Sequence, residues 1–422
     1  MLSVEAARQR ILEVLHPKRT EILPFEEVLG RVLAQDIIAE NPVPPFAQSA
    51  MDGFALRAAD TALASPLHPV SLTILGTLGA GHLGVWTLGA GTAVRIMTGA
   101  PLPDGADAVV KREDTSFTAE TVSLFQPVRP HDHVIPAGRD IPAGALVVRA
   151  GEVVTPAVIG LLASVGIPQV RVYERPRVAV LALGDELIPP QAPLGPGQIR
   201  VSNLYAVAAS VTKYGGMVRN LGIARDQLDD MQRALAQVDD VDLLITLGGS
   251  QRGDFDFVEA LLSGARGRMI FRDIAANYVR SMLFGYYGKI PLCGLPGSPI
   301  AAYVTFEAIV RAAIWKLAGR RILAPPRLEA ILTNPLPATR DRAHFQPVWV
   351  EVRREHVAAI PLSVAKVAHL PPLTLANGMI YRGAGSPGCA AGTRVWVEMI
   401  DPPAFCPLAD PPLPPEEGGV RG

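Results

Sequence analysis

The sequence predicts a multidomain α+β and α/β protein. A doubly wound α/β domain spans residues 176–322, and the rest divides into a mixed N-terminal domain (1–45 and 140–175), a small β domain (46–139) and a C-terminal β-barrel (323–402). Three observations predict this. Arg177–Leu183 (RVAVLAL), Asp242–Leu247 (DLLITL) and Ile290–Cys293 (IPLC) are short, nearly continuous apolar runs. Such runs suit strands buried on both faces of a parallel sheet. Helical spacings lie between and after them, at Leu228, Met231 and Leu235 and again from Tyr303 to Leu317. On either side of this region, short apolar runs alternate with turns instead.

In chain order, Ser3 opens an amphipathic helix carrying Ala6, Ile11, Leu12 and Leu15. Asn41–Phe46 (NPVPPF) is a rigid connector, because each proline fixes φ and removes a donor. Val70–Ile74, Thr92–Met97, Ala108–Val110 and Thr121–Val128 are the strand candidates of the β domain. Residues 140–175 return to mixed helix and strand. Ser298 followed by Pro299 marks a helix start, a side-chain cap and then proline at the first helical position. After Ala324-Pro325-Pro326, the strand candidates Glu329–Leu332, Gln346–Val352 and Arg394–Met399 form the barrel. Residues 403–422 are too rich in Pro, Gly and charge to fold alone and are expected to be a disordered tail.

Composition narrows the function. Hydrophobic residues make up 49% and charged residues 19%, so much of the chain must be buried in cores or interfaces. No apolar segment reaches membrane-spanning length; the best, Val153–Ile167, is broken by Thr155, Pro156, Gly160, Ser164 and Gly166. Net charge is −1 with no basic block, which argues against nucleic acid. Cys293, Cys389 and Cys406 follow no disulfide or metal spacing, which fits a reducing cytoplasm.

In an open parallel sheet, ligands bind beyond the carboxyl ends of the strands. The three predicted strands run into Gly184-Asp185-Glu186-Leu187, into Gly248-Gly249 and the following Ser250 to Asp256, and into Gly294-Leu295-Pro296-Gly297-Ser298-Pro299. Glycines there let backbone amides approach an anion. Asp185, Glu186, Asp254 and Asp256 offer carboxylates at the same edge, the hard oxygen ligands that Mg²⁺ takes. A phosphorylated ligand held with a divalent cation is the sharp reading; helix caps and tight turns are the plainer one. In the β domain, Asp52-Gly53 and Asp104-Gly105 read as turn pairs. His131-Asp132-His133 lacks the further ligands a metal site needs.

Taken in order, SAMDGFA (49–55), RIMTGAPLPDGADAVVKRE (95–113), LGDELI (183–188), the Gly-Gly loop ending in Asp256, and GLPGSP (294–299) resemble the molybdopterin molybdenumtransferase family. That family includes bacterial MoeA and the E domain of gephyrin. The resemblance covers nearly the whole chain, to Asn377-Gly378. It implies a cytoplasmic homodimer whose cleft lies between the α/β domain of one subunit and the SAMDG domain of the other. It implies molybdenum cofactor biosynthesis, in which molybdate is inserted into adenylylated molybdopterin with release of AMP, assisted by Mg²⁺. Molybdopterin adenylyltransferase and recipient molybdoenzymes are the pathway partners implied.

Carried over by motif, Asp52, Thr98, Asp140 and Glu186 would be catalytic, with Asp52 and Thr98 lining the cleft from the partner side. Asp226 would hold the nucleotide with Gly248, Gly249 and Asp256. Pro296 and Gly297 would approach the pterin or its phosphate. Asp185, Ser250, Arg252, Arg280 and Ser298 complete the expected binding set, and Glu186 and Asp256 would hold the metal.

The chain departs from the family at its cations. A Lys-Pro-Gly-Lys-Pro run is replaced by Asn277-Tyr278-Val279-Arg280-Ser281, an arginine before Gly138 is absent, and Ser250-Gln251-Arg252 replaces Val-Ser-Val. Val201 stands where an acid is expected, and Val367-Ala368 where a Ser-Gly pair is. Two readings therefore stand, an insertase and a catalytically impaired paralogue that binds molybdopterin or its nucleotide as carrier or scaffold. They divide on whether Arg252 or Arg280 points into the cleft.

Overall fold

The apolar run Arg177–Leu183 forms a strand along its whole length, with six of its seven residues buried. Such a strand needs apolar neighbours on both sides, and the fold supplies them. A computed structural model describes residues 1–236, 238, 240–249, 257–362 and 370–405. In it, six strands order as Met217–Ala224, Arg177–Leu183, Leu243–Leu247, Ile290–Leu295, Leu283–Tyr287 and Gly267–Arg272. The first four run parallel, the fifth runs antiparallel to them, and the sixth runs antiparallel to the fifth.

Alternation then assigns side chains to two cores. Val178, Val180 and Ala182 enter one, with Ser202–Lys213 and the long helix after Ser298. Ala179, Leu181 and Leu183 enter the other, with Leu228–Leu235 and Phe257–Ser263. The domain is therefore doubly wound. The Ser250, Arg252 and Asp256 of the second loop, the Val367-Ala368 pair and residues 406–422 of the expected tail lie outside the described residues.

The long helix begins as read. Ser298 caps it by accepting from the Ala301 amide, with Pro299 at the first position. Pro299–Thr305 and Arg311–Leu317 are α-helical, and Phe306–Val310 between them is a π turn. Such bulges need local compensation. Here Glu307 and Arg311 form an ion pair at 3.1 Å whose side chains are only 1% and 3% exposed. Tyr214 donates its hydroxyl to both Glu307 oxygens, and Arg311 donates to the Met399 carbonyl at 3.0 Å. The pair thus ties the α/β domain to the barrel. Burial pushes the Glu307 carboxyl above its ordinary value, and Arg311 opposes that shift.

The N-terminal helix Val4–Val14 departs from the expected grouping. Its buried face, Val4, Ala7 and Ile11 with Leu15 beyond, joins the α/β core rather than a core of its own. The rest of the mixed domain is discontinuous. Thr20–Pro24 pairs with Gln169–Tyr173, and Ile37–Ile38 with Leu146–Val148, over a core of Val28, Leu33, Val154, Leu162 and Val172. Residues 53–124 carry a separate six-stranded sheet.

The C-terminal strands close into a barrel. Val357–Pro361, Arg327–Leu332, Arg394–Met399, Gly378–Arg382 and His344–Val352 follow in order, and the last pairs with the first. Asn377 locks it from inside, accepting from the Val350 amide at 2.6 Å and donating to the Val350 carbonyl at 2.8 Å. Ala404–Phe405 adds a short strand beside Glu351 and Val352, so the ordered chain runs past residue 402. Pairing with a barrel strand, which composition does not register, overrides the local Pro and charge content. No helix among the described residues is long and apolar enough to cross a membrane.

Removing one half of the buried ion pair leaves an uncompensated charge. Arg311→Met is expected to cost roughly 3–5 kcal/mol at pH 8, read from urea denaturation. Without Arg311 the Glu307 carboxyl rises further, so stability is lost as pH rises through its folded value and returns on acidification. The Glu307→Gln/Arg311→Met double variant should cost less than Arg311→Met alone. Equal losses at pH 5 and pH 8 would show the pair is not the cause.

Candidate functional site

The carboxyl ends of the parallel strands open onto a cleft of about 700 Å³. Close packing dictates its glycines. At Gly248, with φ of +88°, an added Cβ would lie 2.6 Å from the Leu183 carbonyl oxygen, so no side chain fits. The Gly248 amide donates to the Leu295 carbonyl at 3.1 Å, and Asn203 donates its side-chain amide to the Gly297 carbonyl at 2.6 Å. Gly248, Gly249, Pro296, Gly297 and Ser298 thus form one wall, held against the first turn of Ser202–Lys213.

The cleft also carries acids. Glu186 and Asp226 line it, and Asp185 beside them accepts from the Asp226 amide at 3.2 Å. One oxygen of Asp226, Oδ1, is buried without a hydrogen-bond partner. Burial raises the Asp226 carboxyl above its ordinary range, and the charges of Asp185 and Glu186 add to the shift. This is the arrangement of a carboxylate awaiting a cation or a donor. Among the described residues no group of three or more His, Cys, Asp or Glu side chains is spaced to hold a metal on its own, His131 to His133 included.

The structure sorts the expected cations. Arg280 does not line the cleft, although its neighbours Tyr278 and Ser281 do, and its Nε is buried without a partner. Tyr278 adopts φ of +60°, which turns this segment over. Arg252 lies outside the described residues. Among the described residues the cation that lines the cleft is Arg200, which sequence reading passed over inside Gln198-Ile199-Arg200. The short pair Leu187–Ile188 with Ile199–Arg200 folds it over the opening, where its guanidinium donates to the carbonyls of Pro190 and Ala192.

A second cluster forms elsewhere. Gly53 lies so close to the neighbouring strand that a Cβ would sit 1.9 Å from the Val110 carbonyl oxygen, which explains glycine in SAMDG. Backbone bonds from Ser49 to Ala100 and from Gly99 to Ser49 zip this motif to the Thr98-Gly99-Ala100 turn. Asp52 therefore meets Thr98. Its Oδ1 accepts from both the Thr98 amide and hydroxyl, each at 2.8 Å. Those two bonds hold the exposed Asp52 carboxyl below its ordinary value. Asp140 is exposed on another loop, its amide bonded to the Val43 carbonyl, and its side chain joins neither cluster. No residue of 46–140 lines the cleft.

Comparison with known proteins decides the family. Residues 2–166 match the model of the MoeA N-terminal region (domain I and II), and residues 179–316 that of a probable molybdopterin binding domain. The chain is 34% identical over 405 residues to molybdopterin molybdenumtransferase 2 of Mycobacterium tuberculosis, covering 94% of this chain and 99% of that one. It is 35% identical over 408 residues to molybdopterin molybdenumtransferase of Bacillus subtilis, covering 94% of each. The chain belongs to the molybdopterin molybdenumtransferase family. The crystal structure of the molybdopterin biosynthesis moea protein from Pyrococcus horikosii superposes with a TM-score of 0.82 at 30% identity, over 95% of this chain and 100% of that one. As a member of this family the chain is a transferase of molybdenum cofactor biosynthesis. Nothing in these similarities favours an impaired paralogue.

Two outcomes test the family site as built here. Asp226→Asn removes a carboxyl whose ionised form is disfavoured, so its thermal midpoint should exceed wild type at pH 7. The wild-type penalty fades as pH falls through the raised Asp226 value, so the two midpoints should converge in acid. A constant gap across pH would contradict that assignment. Gly248→Ala should disturb the loop whatever its ligand, lowering the midpoint by several degrees through the clash with Leu183.

Proposed function

We propose that the chain inserts molybdate into adenylylated molybdopterin and releases AMP, in a cleft completed by a second copy. One observation carries the second clause. The Asp52–Thr98 pair and the glycine-lined cleft occupy separate surfaces of one chain, and no residue of the first lines the second. A C2 dimer brings each surface to the other's partner.

In this reading the glycine wall takes the phosphate and pterin, because Gly248, Gly249 and Gly297 let backbone approach an anion. Asp226 holds the nucleotide, and Glu186 stands where molybdate arrives. Asp52, kept ionised and aimed by Thr98, faces the same substrate from the other copy. Mg²⁺ fits the acidic residues, since it accepts one or two carboxylates together with substrate phosphates, and Asp226 Oδ1 has no other partner. When bound it would neutralise phosphate charge. Asp185 and Glu186 keep Asp226 poised to receive it. We place the reaction in the cytoplasm, between a molybdopterin adenylyltransferase that supplies the substrate and the molybdoenzymes that receive the product.

Purified protein given adenylylated molybdopterin, Mg²⁺ and molybdate should release AMP, followed by chromatography. Glu186→Gln should slow the release by about 10²-fold or more. Omitting molybdate should suppress it. Substrate binding without AMP release by the wild-type protein would refute the insertase reading.

A further inference from the structure

Among its described residues the cleft is short of positive charge. Its acids Glu186 and Asp226 line it with a glycine wall, and the guanidinium of Arg200 is already bonded to two carbonyls. Yet every substrate in the proposed reaction is an anion. The missing charge stands beside the Asp52–Thr98 pair. Arg95 lies across the strand pair from Phe54, two residues beyond Asp52, so it shares the Phe54 face of the sheet. Arg112 begins the turn whose amide donates to the Asp52 carbonyl at 3.1 Å.

Both guanidiniums rest on one ring. Arg95 lies 5.6 Å and Arg112 5.5 Å from the centre of Phe117, which packs against the fully buried Phe54 at 5.3 Å. Stacking on a ring fixes a guanidinium's plane while leaving its N–H edge free to donate. Neither arginine forms an ion pair with a carboxylate among the described residues, although Glu113 and Asp114 follow Arg112 in the chain. Two ordered forks thus stand beside the Asp52 carboxylate, and both charges favour its ionised form.

We propose that Arg95 and Arg112 form a clamp for a dianionic oxyanion, carried on the β domain and presented to the cleft of a second copy. This rests on the shared-cleft reading above. The clamp supplies from across the dimer the positive charge that the described residues of the cleft provide only through Arg200. Two groups in the proposed reaction have the required chemistry, molybdate itself and the phosphate of the released AMP. Both are tetrahedral oxyanions that match a planar fork.

Binding of molybdate and of AMP to the full-length protein, each by isothermal titration calorimetry, tests the clamp without turnover. Arg112→Gln should weaken one of them roughly tenfold, the scale of one charge-assisted contact. Loss for molybdate alone assigns the clamp to molybdate, and loss for AMP alone assigns it to the nucleotide phosphate. Arg112→Lys should fall between, since it restores the charge but not the fork. Arg394→Gln removes the same charge from the barrel surface and should change neither affinity. The clamp is refuted if Arg112→Gln binds both ligands like wild type, if Arg394→Gln weakens them equally, or if wild type binds neither. Absence of AMP release in the insertase assay would count against the reaction and leave these affinities to decide the clamp.

Discussion

Burial of the parallel strands on both faces is the constraint from which the site follows. Arg177–Leu183 and Leu243–Leu247 send alternate side chains into two separate cores, so neither face is free to bind anything. Function is left to the strand ends, where backbone must turn in little space. The Leu183 carbonyl leaves no room for a side chain at Gly248, and a Cβ on Gly297 would stand 3.4 Å from the Gly248 Cα. Packing therefore imposes Gly248, and the glycines make the wall available to a phosphate. The same logic operates in the β domain, where contact with Val110 imposes Gly53 and the turn that follows sets Asp52 against Thr98.

The two halves divide the charge between them. The α/β half is acidic, with a carboxylate whose buried oxygen lacks a partner. The β half holds the Asp52 carboxylate ionised and keeps two arginines stacked nearby. Neither half alone suits a phosphorylated anion that arrives with a cation. In the dimer proposed above the two halves meet, and the separation of the two surfaces then has a purpose. The buried Glu307–Arg311 pair has a different role. It joins the helix behind the glycine wall to the barrel, so the cleft is braced from a domain whose described residues contribute none of its charge.

Much of this was legible in the chain. Continuous apolar runs gave the buried strands because a strand covered on both faces accommodates six successive core residues, and Ser298-Pro299 gave the helix start because cap and proline each have a local cause. What local pattern could not reveal was the partner of a given face. The N-terminal helix reads as amphipathic, but its spacing does not say that Val4 and Ile11 pack on the α/β core. Arg280 was a reasonable candidate by its position in the string. The positive φ of Tyr278 decides which side chains of that segment reach the cleft, and Tyr278 and Ser281 do. Arg200 reaches it only because a two-residue strand pair folds back. Phe117, distant in sequence from Arg95, orders both arginines through a contact that no spacing encodes.

The central claim is that one active site is made from two copies of the chain. Subunit mixing tests it most directly. Asp52→Asn disables the β half and Glu186→Gln the α/β half, and each protein alone should be nearly inactive. Mixed and allowed to exchange subunits, they should recover roughly a quarter of wild-type AMP release, because half the dimers are mixed and each of those keeps one intact cleft. Activity no greater than the sum of the two separate proteins, with subunit exchange confirmed, would contradict the account.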